Sequence, residues 1–288
     1  MKRILVILFM ISISIGLSAQ KGKVGTSVSL VGGTVTPENL AEIKAAGIEY
    51  LEVTMNPFVR KQPENEVYIK AYKALKDIND AGLKVWSVHL PYSSSWDVSV
   101  IDREKRAKAV AFFEDMIALA GIFSPECLVL HPGADNIKDD EERAERLKCA
   151  RNSIARLAIA AESIGACLCV EDLPRRCPGR TADEIDYLTA DIPNVGVCFD
   201  TNHLLIDTHD EFFAKLGDRI RTVHISDYDR VDEKHWLPFH EKGTVDWKAF
   251  CRNLRESGYK GVWMFESRGE GVDAEGVMDV YKKLRKLY

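Results

Sequence analysis

From residue 24 onward, the chain alternates short apolar runs with longer amphipathic stretches. The apolar runs contain many β-branched residues and have the length of buried strands. The amphipathic stretches carry apolar residues at helical spacing and predict helices. Eight strands are predicted, at Val24–Leu30, Ile48–Val53, Lys84–Leu90, Cys127–His131, Ala166–Leu173, Val195–Asp200, Thr222–Ser226 and Gly261–Glu266. Eight helices are predicted, over residues 37–47, 65–81, 103–121, 139–164, 181–190, 209–217, 246–257 and 274–287.

Residues typical of helix ends support these boundaries. Thr36 is a predicted N-cap, Pro37 suits the first turn of the helix that follows, and Gly47 is the predicted stop. The next three helices are predicted to end in the same way, at Gly82, Gly121 and Gly165.

Strict alternation of strands and helices predicts the α/β class and a (β/α)8 barrel in a single domain. The strands are nearly continuous apolar runs, as expected when both faces of a parallel sheet are covered. No linker or break in composition divides the chain. An open doubly wound sheet is the structural alternative, but it needs a glycine-rich phosphate loop. Gly32 and Gly33, which follow the first strand, are too weak a match to that loop.

The first 19 residues predict a cleaved secretory signal peptide, so the barrel domain is assigned to residues 20–288. Lys2 and Arg3 precede the apolar run Ile4–Leu17, and Ser18 and Ala19 supply the small residues of a cleavage site. The run is short for a membrane span, which needs about 20 apolar residues. A retained N-terminal anchor is the alternative. The predicted localisation is therefore periplasmic or secreted, without a stable membrane anchor.

Charge argues against a nucleic-acid partner. The formal net charge is −5, and loss of Lys2 and Arg3 with the signal peptide brings it to −7. The chain has no basic block, whereas proteins that bind nucleic acids present a positive surface. Composition leaves both a monomer and a homo-oligomer open.

The seven cysteines do not form a disulfide framework. Their number is odd and their spacing irregular. Cys127, Cys167, Cys169 and Cys198 fall inside predicted strands, where a thiol behaves as a small apolar group. We predict buried free thiols.

Polar side chains cluster at the carboxyl ends of the predicted strands, where (β/α)8 barrels carry their functional residues. One such residue alone is readily a helix cap or a satisfied structural group. The set is harder to explain in that way, because carboxylates brought together without a cation repel one another and are costly to desolvate. Its members, from the third to the eighth strand, are His89, His131, Glu171, Asp200, His203, His224 and Glu266.

Carboxylate and imidazole groups in this combination suit one divalent ion, Mn²⁺, Mg²⁺, Co²⁺ or Zn²⁺. Glu171, Asp200, His224 and Glu266 follow four consecutive strands, so the two glutamates are expected to face each other across the barrel mouth. A sugar that chelates the ion through its carbonyl and a neighbouring hydroxyl would place its reacting carbon between them. One carboxylate could then remove the proton α to the carbonyl and the other could return it, through an enediolate.

The same residues give the chain a resemblance to the xylose isomerase-like barrel superfamily over nearly all of residues 24–287. That superfamily includes tagatose/psicose 3-epimerases, hydroxypyruvate isomerase, inosose dehydratase and the three-zinc apurinic-site endonucleases. The resemblance is carried by His131-Pro-Gly133, Glu171-Asp-Leu-Pro174, Asp200-Thr-Asn-His203, His224-Ile-Ser-Asp227, Gly243-Thr-Val-Asp246-Trp247 and Glu266-Ser267.

The resemblance to the epimerases implies a site with defined roles. Glu171, Asp200, His224 and Glu266 would be metal ligands, and Glu171 and Glu266 would also be the catalytic acid/base pair. The chain departs from the common pattern at His240–Trp247, where the first glycine of a Gly-x-Gly is replaced. That departure puts the substrate contacts of this loop in doubt. The residues expected to bind substrate are His89, His131, His203, Arg268 and Trp236.

Two of these residues have a structural alternative. Trp236 could stack on a sugar face or pack the loops over the barrel. Arg268 could bond a sugar hydroxyl or pair with Glu270.

Four functions are compatible with these residues. The first is a metal-dependent sugar isomerase or epimerase, and the second is a lyase or dehydratase acting on a keto-sugar or 3-keto-glycoside. The two share proton removal beside a carbonyl. The third, an apurinic-site endonuclease, would use the same histidines together with His235, but has Glu233 where an Asp is usual and conflicts with the acidic charge. The fourth is a non-catalytic carbohydrate-binding barrel. The expected partner is a small carbohydrate.

Overall fold

The computed structural model describes residues 22–288, so the predicted signal peptide lies outside the described residues. Eight parallel strands close into a barrel in sequence order, which confirms the (β/α)8 fold. The strands are β1 Val24–Ser27, β2 Tyr50–Thr54, β3 Lys84–His89, β4 Cys127–Leu130, β5 Cys167–Glu171, β6 Val195–Asp200, β7 Ile220–Ile225 and β8 Trp263–Phe265. No helix within residues 22–288 has the length and apolar content to cross a membrane.

Helices surround the barrel and cover its outer face. Within the described part of the chain they are α1 Pro37–Ala45, α2 Asn56–Val59, α3 Glu64–Asp80, α4 Arg103–Ala120, α5 Asp140–Ser163, α6 Ala182–Thr189, α7 His209–Leu216, α8 Trp247–Glu256 and α9 Ala274–Leu287. The main apolar core fills the space between strands and helices.

The predicted helix ends are confirmed at α1 and α5. The Thr36 hydroxyl accepts a hydrogen bond from the Asn39 amide (3.3 Å) at the start of α1. Gly165 adopts a left-handed conformation (φ 77°) after α5, as a helix-terminating glycine should. Helix α4 also ends where predicted, at Ala120 with Gly121 as its C-cap. Gly121 itself stays right-handed and begins a 3₁₀ turn, and the left-handed residue there is Ser124 (φ 48°).

Two connections differ from the sequence prediction. The first strand was predicted to reach Leu30 but ends at Ser27, and Val28–Val31 form a 3₁₀ helix capped by the Ser27 hydroxyl. Local capping therefore overrides the β-branched character of this run. The short helix α2 was not predicted. It lies between β2 and α3 and carries Pro57 in its first turn. Both connections lie at the carboxyl ends of strands, beside the barrel mouth.

A separate apolar cluster fills the barrel interior beneath the mouth. It contains Cys127, Val129, Cys169 and Cys198, with Trp86 and Cys167 packed against it. The Trp86 indole N–H donates to the Thr222 hydroxyl (3.2 Å) across the barrel. All seven cysteines are free, and all except the half-buried Cys167 are buried, which confirms the prediction of core thiols.

Candidate functional site

The four predicted metal ligands meet at the carboxyl end of the barrel. Glu171 ends β5, Asp200 ends β6, His224 lies in β7 and Glu266 directly follows β8. Their candidate ligand atoms all lie within 4.8 Å of one another. The His224 Nδ1 atom is 2.9 Å from Glu171 Oε1, 2.8 Å from Glu266 Oε2 and 3.7 Å from Asp200 Oδ2. The parallel register, which pairs Asp200 with His224, brings these strand ends to one level.

These residues fit a divalent cation. Three carboxylates surround one imidazole, and all four side chains are buried. Asp200 Oδ2 is buried with no hydrogen-bond partner, although Asp200 Oδ1 accepts a bond from the Asn202 amide (2.7 Å). An unpaired carboxylate oxygen removed from water is costly unless a cation compensates it. Oxygen ligands with one imidazole suit the divalent ions expected from the sequence.

Electrostatics in the site favour ionised glutamates. Burial alone raises the pKa of Glu171, but the charge of His224, followed by that of His131, outweighs burial and holds the pKa well below its usual value. Burial also raises the pKa of Glu266, but the charge of His224 outweighs burial and lowers that pKa. Both carboxylates are therefore in the form that binds a cation or accepts a proton.

The second nitrogen of His224 contacts a carboxylate that the sequence analysis did not select. Glu52 lies in β2, is fully buried, and places Oε2 2.9 Å from His224 Nε2. The Ser87 hydroxyl donates to the same oxygen (2.8 Å). A carboxylate at this position holds the proton on Nε2 and leaves the Nδ1 lone pair for a cation. The sequence feature that could have identified Glu52 is its position between Leu51 and Val53, in the centre of an apolar strand.

Removing the Glu52 carboxylate is expected to weaken cation binding. The Glu52→Gln variant should bind Mn²⁺ with an affinity about 10–100-fold lower, because His224 loses the partner that fixes its tautomer and orientation. Titration calorimetry against Mn²⁺ measures this, with the exposed Glu162→Gln as the matched control. An affinity equal to that of the unaltered protein would show that Glu52 does not act through His224.

Histidines form the next layer around the four ligands. His89 Nε2 and His131 Nε2 lie 3.2 Å and 3.0 Å from Glu171 Oε2, so both predicted residues face the site. His203 Nδ1 is 3.5 Å from Asp200 Oδ2 and bonds the Asp172 carbonyl (2.8 Å). Three predicted substrate-binding histidines are thus at the barrel mouth.

A second donor group adjoins the first. His203 Nε2 lies 3.3 Å from Glu233 Oε2, and His203, Glu233 and His235 offer ligand atoms within 4.8 Å of one another. The pKa of Glu233 is lowered to about 2, chiefly by its contact with His203. Loop residue His235 has a left-handed backbone (φ 55°) and is buried. From the sequence, Glu233 and His235 are predicted to lie in a loop. The sequence does not predict that this loop brings them to the barrel mouth.

The loop after β7 is organised around Asp227. Its carboxylate accepts hydrogen bonds from the Thr244 amide (3.1 Å) and the Trp247 indole N–H (3.1 Å). A Cβ at Gly243 would lie 2.2 Å from the Asp227 carboxylate, so only glycine fits there. The stretch that departs from the epimerase pattern therefore has a structural role in which Gly243 is the required glycine.

Of the two remaining residues predicted to bind substrate, Arg268 lines the cavity at the barrel mouth and Trp236 does not. Among residues 22–288, Arg268 makes no ion pair with Glu270. Trp236 stacks on His240, with ring centroids 4.0 Å apart, and its backbone pairs with that of Asp227. This is the loop-packing alternative, and the contact of Trp236 with a sugar stays a prediction.

The site opens into a cavity of about 380 Å³. Glu171 and Glu266 line this cavity. Its other walls include the aromatic and polar side chains of Tyr92, Trp96 and His131. Tyr92 stacks on His131 with centroids 4.6 Å apart. A cavity of this size, with few convergent polar groups, is typical of a small-molecule site.

Fold and site together define a (β/α)8 barrel whose mouth carries a buried group of carboxylates and imidazoles. Residues 40–287 match the model of the xylose isomerase-like TIM barrel family, and the chain belongs to that family. No curated protein matches the chain.

Solved structures share the fold at low sequence identity. A D-tagatose 3-epimerase-like protein has a TM-score of 0.75 and 19% identity, covering 92% of this chain and 96% of its own. A 3-keto-D-glucoside 4-epimerase from E. coli has a TM-score of 0.70 and 20% identity, covering 92% and 100%. The D-psicose 3-epimerase from Clostridium cellulolyticum H10, solved with D-tagatose, has a TM-score of 0.70 and 18% identity, covering 92% and 91%.

Proposed function

We propose that this protein is a divalent-metal-dependent sugar epimerase or isomerase whose acid/base pair is Glu171 and Glu266. The observation that carries the proposal is that both carboxylates approach the same nitrogen, His224 Nδ1, at 2.9 Å and 2.8 Å, at the base of a ligand-sized cavity. The names of the three similar solved structures, two sugar epimerases and one epimerase-like protein, support the same substrate class.

The cation would be held by Glu171, Asp200, His224 and Glu266, and when bound it supplies Lewis-acid stabilisation of negative charge on the substrate carbonyl oxygen. One glutamate removes the proton from the carbon beside the carbonyl, and the other returns a proton to the enediolate carbon. His89 and His131 contact Glu171 through Oε2, whereas His224 contacts Oε1. Tyr92 and Trp96 line the cavity above these groups and offer apolar ring surface to a sugar.

The contacts at the mouth do not favour a nucleic-acid substrate. Arg175, the basic residue beside Glu233, is bound to three carboxylates: Asp135 (2.9 Å), Asp232 (2.6 Å) and Glu233 (3.1 Å). A guanidinium neutralised in this way is not available to a phosphate backbone. The proposed substrate is therefore a carbohydrate.

Hydrogen exchange into D₂O tests the proposal and separates it from elimination. With Mn²⁺ supplied, the protein is incubated with a panel of free ketoses and 3-keto-glycosides. At least one compound is expected to gain deuterium at the carbon beside the carbonyl, detected by mass spectrometry, without release of an aglycone. Release of the aglycone would instead establish a lyase. Absence of both exchange and release from every compound would contradict the epimerase proposal and the lyase alternative together.

We also propose export to the periplasm or the medium, on the strength of residues 1–19. N-terminal analysis of the protein isolated from its native host should begin at or near Gln20. A mature chain that retains Met1 to Ala19 would contradict the proposal.

A further inference from the structure

A second cavity of about 480 Å³ adjoins the candidate active site. The two cavities share His89, Tyr92, Glu266 and Arg268, so they meet at the catalytic rim. The other walls of the second cavity come from the connections after β1 and β2, the two connections that the sequence prediction did not describe correctly. These walls are Ser29, Gly32, Gly33, Thr54, Asn56, Pro57 and Arg60.

The second cavity is large enough for a separate group. Sites for small ligands typically measure roughly 300–1,000 Å³, and each cavity reaches that range on its own. Tyr92 stands between them: its ring stacks on His131 in the first cavity, and its backbone amide is held by Asn56 Oδ1 (2.9 Å) in the wall of the second. A ligand that passes Glu266 can therefore place one ring on each side of Tyr92.

The walls of the second cavity carry unused hydrogen-bonding groups. Neither Arg60 nor Arg268 forms an ion pair within the described part of the chain. Guanidinium groups without an ion-pair partner suit the hydroxyl groups of a sugar, because each guanidinium offers five N–H donors.

Glycines keep this side open. Gly32 has φ 71°, and a Cβ built there would meet no atom within 4 Å, so the space in front of it is empty. A side chain at this position would be strained and would extend into open space. The early end of β1 at Ser27 is what turns Gly32 and Gly33 toward the second cavity.

We infer that the second cavity is a subsite for the non-reacting ring of a glycoside, so that the substrate is a keto-disaccharide or keto-glycoside and not a free ketose. This inference rests on the proposed function, because it places the reacting ring in the first cavity beside Glu171 and Glu266. Arg60 belongs to the second cavity alone and donates to the hydroxyl groups of the second ring.

The experiment compares two probes with the same reacting ring: a methyl 3-keto-glucoside and a 3-keto-disaccharide. For the unaltered protein, kcat/KM for deuterium exchange is expected to be at least about tenfold higher with the disaccharide, since one charge-assisted hydrogen bond contributes about that factor. The Arg60→Ala variant should lose most of this preference. The matched control, Arg103→Ala, replaces an exposed arginine outside both cavities and should keep it.

Calorimetric binding of the same two probes gives a readout that does not depend on turnover. Tighter binding of the disaccharide, lost in Arg60→Ala and kept in Arg103→Ala, supports the subsite even if neither probe reacts. Equal affinity and equal kcat/KM for the two probes would overturn the subsite and leave the proposed function intact. Binding that favours the disaccharide without exchange or elimination would overturn the proposed function alone.

Discussion

Replacement of either glutamate of the proposed acid/base pair, as Glu171→Gln or Glu266→Gln, is expected to lower kcat by about 10²–10⁴-fold while the protein remains folded. Glutamine keeps the size of the side chain but cannot take up a proton from carbon. The two side chains approach the same nitrogen of His224, so each also loses a charged contact with the cation site. Turnover of a keto-sugar, with thermal unfolding followed by circular dichroism, measures both properties.

The two variants should also differ from each other. If each glutamate serves one proton transfer, a variant that keeps one base can still exchange the proton of one epimer, but not that of the other. Deuterium incorporation measured separately for the two epimers tests this. The exposed Glu162→Gln provides the matched control and should behave as the unaltered protein. Normal turnover in either site variant would refute the acid/base assignment.

Removal of divalent ions is expected to abolish turnover and to lower the melting temperature, and Mn²⁺ should restore both. The physical reason is the group of buried carboxylates around His224, which includes the unpaired oxygen of Asp200. A ligand present at 1,000 times its Kd stabilises the folded state by about 4 kcal/mol, which is a large part of a domain's free energy of unfolding. Calorimetry before and after chelation measures the change.

Elemental analysis of the reloaded protein gives the number of ions. One ion per chain is expected, held by Glu171, Asp200, His224 and Glu266. A second ion would be assigned to His203, Glu233 and His235, and loss of that ion alone in Glu233→Gln would confirm its place. The Asp200→Asn variant should lose the ion between the four ligands. A protein that binds no divalent ion and melts at the same temperature after chelation would refute the metal centre.

Helix and strand periodicity determined the barrel because those patterns are local. The alternation of buried apolar runs with amphipathic helices could be recognised over eight repeats. A side chain at the carboxyl end of a parallel barrel strand lies at the barrel mouth. Glu171, Asp200, His224 and Glu266 could therefore be grouped from the sequence, although they are spread over almost a hundred residues.

Tertiary structure alone decided which side chains meet across the barrel. Glu52 and His224 are 172 positions apart, and their contact depends on closure of the barrel, which leaves only β1 and β8 between their strands β2 and β7. Loop backbones likewise decided that His235 would turn toward the site and that Gly243 would approach Asp227. The second cavity arose where capping by Ser27 ended β1 early. Periodicity records which face of an element is buried, whereas a contact between distant elements depends on barrel closure and on loop conformation, which no local pattern contains.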